Sequence, residues 1–547
     1  MSPEVARRTP RHSGATAAVR IDDAVHPRFA ALERVAHTLD AGALCFLLGT
    51  AAFIYLEVFI LPNIPVSIAN DQSINLDNAV RMVHGQAIYR DFFQYTLPGT
   101  EWVYFALFKF FGIRAWIPNA ALVVLATASA GLGIVISKPI LKGWHAYLPA
   151  LLFVYAFHFV LDATHHKYSV LFILAATAVL LGSRTLGRVA CAGLLLGLAA
   201  CFTQSRGVVA AGMFSLFLVW EGWRRGVGSR AIIQRAGALL GGFATVVGAV
   251  CGYFVLELGL SKFIAHMIVF PMKYYRADSV YNTWSALPTA ASGFVHWYDA
   301  ARLIFVLATY ALIPAVYAVS AVALWAGRRI SRGAEAEVRV ALIATAGFAL
   351  YGSVFYAPEF VRLCEASLPG FILGFWLLEL MRPRDAWFAA FAVAVAIAMG
   401  ASAVHTQTRW HGILETPLGR SAFLERDTYT RYAWVARHTH PWEFFFEAIY
   451  SDMYFGLGLR NPAEVPYVTA NAYTRPAQVS SLVDALEAKR VKLVLWSKTL
   501  DVSNPPRPDD YLGPLRSYLQ ANFEPIKDFS GGYVVLERRT LPKGKSG

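Results

Sequence analysis

The chain has 547 residues, of which 56% are hydrophobic, 14% aromatic and only 16% charged; its mean hydropathy is +0.45 and its net charge +13. Soluble domains carry about 25% charged residues, and a soluble chain this apolar would expose patches that drive aggregation. An ordinary soluble enzyme, a disordered chain and a disulfide scaffold are therefore excluded, and an α-helical polytopic membrane protein remains.

Residues 1–40 are polar and Arg-rich, lack a signal-peptide pattern, and read as a disordered tail. A bilayer core takes about 20 apolar residues per helix. Eleven segments approach that length, at roughly 41–61, 115–136, 144–161, 168–183, 189–203, 207–223, 237–258, 301–326, 340–356, 366–381 and 386–405. Twenty basic residues fall on the N-terminal tail and on alternate loops, among them Lys138, Arg184, Arg224, Arg328 and Arg382. The intervening loops are longer and hold about ten. The Arg-rich side is expected to be cytoplasmic, and an odd number of spans then puts the C-terminal segment outside. The five cysteines, Cys45, Cys191, Cys201, Cys251 and Cys364, lie in or beside apolar runs without CxxC spacing and signal neither disulfides nor zinc. The basic excess forms no stripe on a soluble face, so no nucleic-acid partner is expected.

The first outer loop, 62–114, carries IANDQSINLDNAVRMVHGQAIYRDFFQYTLPGTEW at 68–102. Leu76, Val80 and Val83 give an amphipathic helix from about Asp71 to His84, which Gly85 ends. Pro98 and Gly99 break the chain before a short apolar stretch to Gly112, expected to lie in the membrane interface. Asp71 is either a helix cap or a reactive carboxylate. Asp77, about 600° further around the helix, faces elsewhere. Arg90 and Asp91 either bind substrate or rigidify the loop.

Four more clusters fall on the same side. Asp162–Tyr168 (DATHHKY) puts His165, His166 and Lys167 at the membrane surface, where charge is costly and commonly functional; the alternative is an interfacial loop with a snorkelling lysine. Adjacent histidines point apart on a helix, so no metal pair is expected. Arg206, followed by Gly207, suits bidentate phosphate contact or marks a helix end. Lys273 and Arg276 are candidate phosphate ligands or headgroup-facing residues, in a loop (about 259–299) whose Trp284 and Trp297 suit the membrane interface. Arg362 either touches a ligand or pairs with Glu359 or Glu365. In the seventh apolar segment, Gly237 and Gly241 suggest close helix packing. From 406 to 547 the composition becomes that of a soluble domain. Helices near 477–489 and 511–522, strands at 491–496 and 533–537, and a further strand near 443–449 predict a small α/β domain.

The first loop resembles that of the GT-C glycosyltransferases, the broad superfamily of protein mannosyltransferases and aminoarabinose transferases. The shared pattern is Asp71, then Ala79 and Gly85, then Tyr89-Arg90-Asp91-Phe92, then Pro98-Gly99, then Phe111-Gly112. Within that superfamily the chain is similar to bacterial members grouped with lipid-A galacturonosyltransferase-like proteins, over about residues 41–230 and more weakly over 350–380. Many members carry Asp-Glu where this chain has Asp71-Gln72.

The resemblance implies an inner-membrane transmembrane module over 41–405 and an extracytoplasmic α/β domain over 406–547. It implies a donor sugar on a polyprenyl phosphate and an acceptor hydroxyl on a lipid, glycan or protein. Transfer inverts the anomeric carbon without a cofactor, a divalent metal being left open. Asp71 would be the base. Asp77, Tyr89, Arg90, Asp91, His165, His166, Lys167, Arg206, Lys273, Arg276 and Arg362 would bind substrate, several of them by stabilising the leaving phosphate. The competing expectations are a transporter or lipid-linked-sugar flippase, for which no internal repeat is found, and an inactive scaffold that has lost the acid next to Asp71.

Overall fold

The computed structural model describes residues 40–67, 69, 71–275, 311–322, 334–354, 360–503 and 505–539. The N-terminal tail before Asp40, Arg276, Trp284, Trp297 and Glu359 lie outside the described residues. The chain folds as a helical bundle with a small sheet-containing domain on one end.

Helix α1 (Ala41–Val58) starts where the Asp40 carboxylate accepts a hydrogen bond from the Ala43 amide at 2.8 Å. The first loop then holds a two-strand ribbon, β1 (Phe59–Ile60) and β2 (Ile64–Pro65), and helices α2 (Asp71–Val83) and α3 (Gly99–Phe111). Gly85, at φ +89°, ends α2 as its position predicts. The bundle continues with α4 (Ile117–Ser137), α5 (Leu148–Phe157), α6 (His165–Leu180), α7 (Leu186–Phe202), α8 (Gln204–Arg224) and α9 (Ser229–Leu258). After it come α10 (Ala311–Val322), α11 (Ala334–Val354), α12 (Phe360–Ala366), α13 (Leu368–Leu380) and α14 (Asp385–Thr408).

Among the described residues five helices are long and apolar enough to cross a membrane, α1, α4, α9, α11 and α14, not the eleven expected. The windows at 168–183, 189–203 and 366–381 resolve into apolar helices of 13 to 17 residues. The window at 144–161 counts a turn on each side of the ten-residue α5. Helix α8 is long enough but carries Arg206, Glu221 and Arg224. The window at 301–326 is described only over α10.

The glycine contact in α9 also differs from expectation. A Cβ on Gly237 or Gly241 would meet nothing within 4 Å. The close seam lies one residue on: a Cβ on Gly242 would fall 2.4 Å from the Ala190 carbonyl oxygen, and one on Gly193 of α7 only 2.0 Å from that of Leu239. A Gly-x3-Gly spacing names a face, not which helix supplies the closest approach.

At one end of the bundle the basic loops meet acids. Lys138 pairs with Asp40 at 2.9 Å, and His145 sits 2.8 Å from Glu379. Arg184 lies 3.1 Å from Glu221 and 3.3 Å from Glu335, which Arg225 also contacts.

The other end carries the domain at 409–539. It opens on a hairpin, β3 (Gly412–Thr416) and β4 (Gly419–Phe423), and α15 (Arg426–His438). Then come β5 (Phe446–Glu447), α16 (Asp452–Leu457), α17 (Pro476–Ala488), β6 (Leu493–Ser497), α18 (Gly513–Asn522), β7 (Phe523–Phe529) and β8 (Tyr533–Arg538). The sheet order is β5-β6-β8-β7, with β5 parallel to β6 and the other pairs antiparallel. The strand expected near 443–449 shrinks to two residues.

This domain is clamped onto the first loop largely through main-chain groups. The Ser67 amide donates to the Ala422 carbonyl (2.7 Å), Phe93 to that of Glu464 (2.8 Å) and Ala115 to that of Leu418 (3.0 Å). The Phe93 ring joins the domain's own core with Phe446, Val479 and Val494.

Candidate functional site

The starts of α2, α6 and α8 and the end of α12 converge. Asp71 opens α2 and is exposed, its carbonyl accepting from the Asn75 side chain at 3.1 Å. The next residue, Gln72, is fully buried. Its amide nitrogen donates to the Tyr104 hydroxyl (3.1 Å), its oxygen accepts from the Ala163 amide (2.8 Å), and Tyr104 donates to the Ala163 carbonyl (2.9 Å). An amide can donate and accept at once, as this closed ring requires. Gln72 is thus a neutral brace between α2, α3 and the segment before α6.

That segment begins a buried ion-pair network. Lys167 donates to Asp162 at 2.6 Å and lies 3.5 Å from Glu365. Arg206 reaches the other Glu365 oxygen at 3.4 Å, the His166 carbonyl at 2.9 Å and the Ser169 hydroxyl at 3.4 Å. Lys167, Arg206 and Glu365 are 3%, 1% and 4% exposed, so neither base snorkels. Arg206 takes this position because α8 turns sharply off α7: a Cβ on Gly207 would lie 2.4 Å from the Ala200 backbone. Thr203 also ties the junction to the His165 carbonyl at 3.3 Å. His165 and His166 stack at 4.0 Å, half-buried, in the field of Arg206, Arg362 and Lys167. Of the two partners expected for Arg362, Glu365 is engaged by Lys167 and Arg206, and Glu359 is not described. Glu365 is the residue that sequence reasoning missed as a site member. Its signal was an acid between two apolar helices.

Other expected residues stand apart from this network. Arg90 pairs with Asp91 at 3.0 Å and Glu257 at 3.3 Å, and Asp91 also accepts from the Ala87 amide at 2.7 Å. Tyr89, at φ +66°, donates to the Thr96 carbonyl and meets Phe254 of α9 edge-on. These contacts hold the loop against α9. Lys273 is exposed, 5.3 Å from the Tyr274 ring.

Asp77 faces away from Asp71, as the helical period predicts. It is 3% exposed, and burial raises its carboxyl to about 6 against the opposing pull of Arg81 and Asn461. It lies in a cleft of about 200 Å³ between α2 and the C-terminal domain.

No family model and no curated protein matches the chain.

Proposed function

We propose that the chain is an inverting GT-C-type membrane glycosyltransferase, moving a sugar from a polyprenyl-phosphate donor to a lipid, glycan or protein acceptor at the outer face of a bacterial inner membrane. The shorter apolar helices together with α8 would complete eleven crossings, with the N-terminus inside and the C-terminal domain outside.

One observation carries this reading: the Gln72 brace joins the start of the Asp71 helix to the segment that holds Lys167, which is in turn linked through Glu365 to Arg206. An accessible carboxylate and buried bases from distant parts of the chain therefore share one end of the bundle. In the proposed reaction Asp71 takes the proton of the acceptor hydroxyl as it attacks the anomeric carbon. The leaving lipid phosphate carries away the electrons of the broken bond. His165 and His166 lie closest to solvent, with Lys167 and Arg206 behind them to stabilise the phosphate's charge. Asp162 and Glu365 hold the two bases in position until the donor arrives.

The test is Asp71→Asn, assayed in membranes supplied with labelled polyprenyl-phosphate hexose, pentose and uronic acid donors. The wild type transfers label from one of them, and the variant at equal protein level loses about 100-fold or more. Undiminished transfer by the variant rejects Asp71 as base. Movement of donor across vesicles with no transfer by the wild type rejects the transferase reading.

A further inference from the structure

We propose that the cleft between α2 and the C-terminal domain is a binding site for a phosphorylated sugar, whose hydroxyl meets Asp77 and whose phosphate meets Arg460 and Lys489. The site uses the face of α2 opposite to Asp71 and does not rest on the transferase reading.

The cleft, about 200 Å³, has the volume of roughly six or seven water molecules. Helix α2 and its end supply Asp77, Arg81 and His84; the C-terminal domain supplies Phe444, Arg460 and Lys489. Three cations thus face one carboxylate. Glu464, which acts on Arg81, is not part of the lining. The excess of two positive charges matches a phosphate monoester, which carries about −1.5 to −2 near neutral pH.

Two of the cations are not held there by acids. Arg460 and Lys489 stand 4.3 and 5.0 Å from the centroid of the same Phe444 ring, and neither has a carboxylate within ion-pair distance among the described residues. Burial and the charges of Arg81 and Arg460 hold the Lys489 ammonium below its usual range. Arg81 gives its protons to neutral oxygens, Gln86 Oε1 at 2.7 Å and the carbonyls of Ala463 (2.9 Å) and Asp91 (3.4 Å). Most of its donors are thereby engaged, and it contributes chiefly field. Lys489 gives one proton to the Pro462 carbonyl and keeps two, His84 Nδ1 is spent on the Val80 carbonyl, and Arg460 and Lys489 are left as the donors at the mouth.

At the floor, Asp77 Oδ2 is buried without a hydrogen-bond partner. An orphaned buried acceptor and gathered like charges both cost folding free energy, and Arg81 and Asn461 offset only part of that cost, since burial still raises the Asp77 carboxyl. A ligand that donates one hydroxyl and brings a dianion offsets both. The phosphate could be free in solution or part of a lipid headgroup.

Calorimetric titration of the full chain in detergent with glucose 6-phosphate tests the soluble source. Reconstitution in nanodiscs with and without phosphatidylinositol 4-phosphate tests the lipid source. Saturable binding is expected in at least one arm, with none for glucose. Arg460→Gln, on the exposed rim, weakens it about tenfold with unchanged melting. Asp77→Asn weakens binding of the sugar phosphate and leaves that of inorganic phosphate unaltered. Absence of saturable binding in both arms, or binding indifferent to both Arg460→Gln and Lys489→Gln, overturns the site. Inorganic phosphate binding as tightly as glucose 6-phosphate, with no effect of Asp77→Asn on either, overturns the role given to Asp77.

Discussion

Replacing Glu365 by glutamine keeps the side chain's shape and removes the carboxylate that reaches both Lys167 and Arg206. Lys167 retains Asp162 at 2.6 Å. Arg206, 1% exposed, retains the His166 carbonyl and the Ser169 hydroxyl but loses this counter-charge. Removing one partner of a buried pair costs about 3–5 kcal/mol. The retained acceptors put this case at the lower end, about 3 kcal/mol. For a chain of this size that corresponds to a melting temperature lower by about 2–3 °C. A thiol-reactive dye in detergent reads the transition, because Cys201 and Cys364 are buried within the fold. Adding Arg206→Met should recover part of the loss, since the orphaned charge goes with it. A Glu365→Gln melt within about 1 °C of wild type, or strictly additive losses in the double variant, would refute the claim that this network holds α6, α8 and α12 together.

Three further outcomes are expected. Gly193→Val drives a side chain into the Leu239 backbone and lowers the melting temperature, costing about 1–3 kcal/mol or more, whereas Gly237→Val, which meets open space, leaves it unchanged; equal effects would count against the seam. Gln72→Glu removes the donor to Tyr104 and puts a charge in a buried ring, costing about 1–3 kcal/mol and lowering expression-normalised transfer; higher transfer would favour an acid at this position. The pH dependence of Asp77 has a definite sign. Its folded value of about 6 lies above the ordinary 3.8, so the destabilisation is complete above about pH 6 and is relieved as pH falls toward 3.8, because the folded state takes up the proton first. The wild type therefore gains about 2–3 kcal/mol from this group between pH 7 and 4. Asp77→Asn loses that slope and melts higher at pH 7; parallel melting curves for the two proteins across this range would contradict the assignment.

What could be read from the sequence was local. The amphipathic spacing of Leu76, Val80 and Val83 with Gly85 behind them defines α2 to within a residue. The periodicity at 477–489 and the apolar run at 491–496 correspond to α17 and β6. Strand β7, FEPIKDF, escaped because its side chains do not alternate and its register shifts between Pro525 and Lys527. The β3–β4 hairpin escaped because its strands are short and partly polar. Of the candidate site, the placement of Asp71 and Asp77 on different faces of α2 followed from helical geometry. The Lys167–Glu365–Arg206 network did not, because Arg206 and Glu365 are 159 residues apart and nothing local signals their meeting. The grip of the C-terminal domain on the first loop was invisible for a different reason: its bonds run to main-chain carbonyls of Ala422, Glu464 and Ala463, which no side-chain pattern encodes.

That grip sets a timetable for biosynthesis. Arg81 is completed by a carbonyl that leaves the ribosome 382 residues later, a wait of roughly 20–75 s at ordinary elongation rates. Throughout that interval the Phe93 ring has only Tyr95, His266 and Phe270 among its final neighbours, and the side that later meets Phe446, Val479 and Val494 stays open to chaperones and proteases. Nascent chains that stall before residue 463 would accordingly be recognised through their oldest segment rather than their newest.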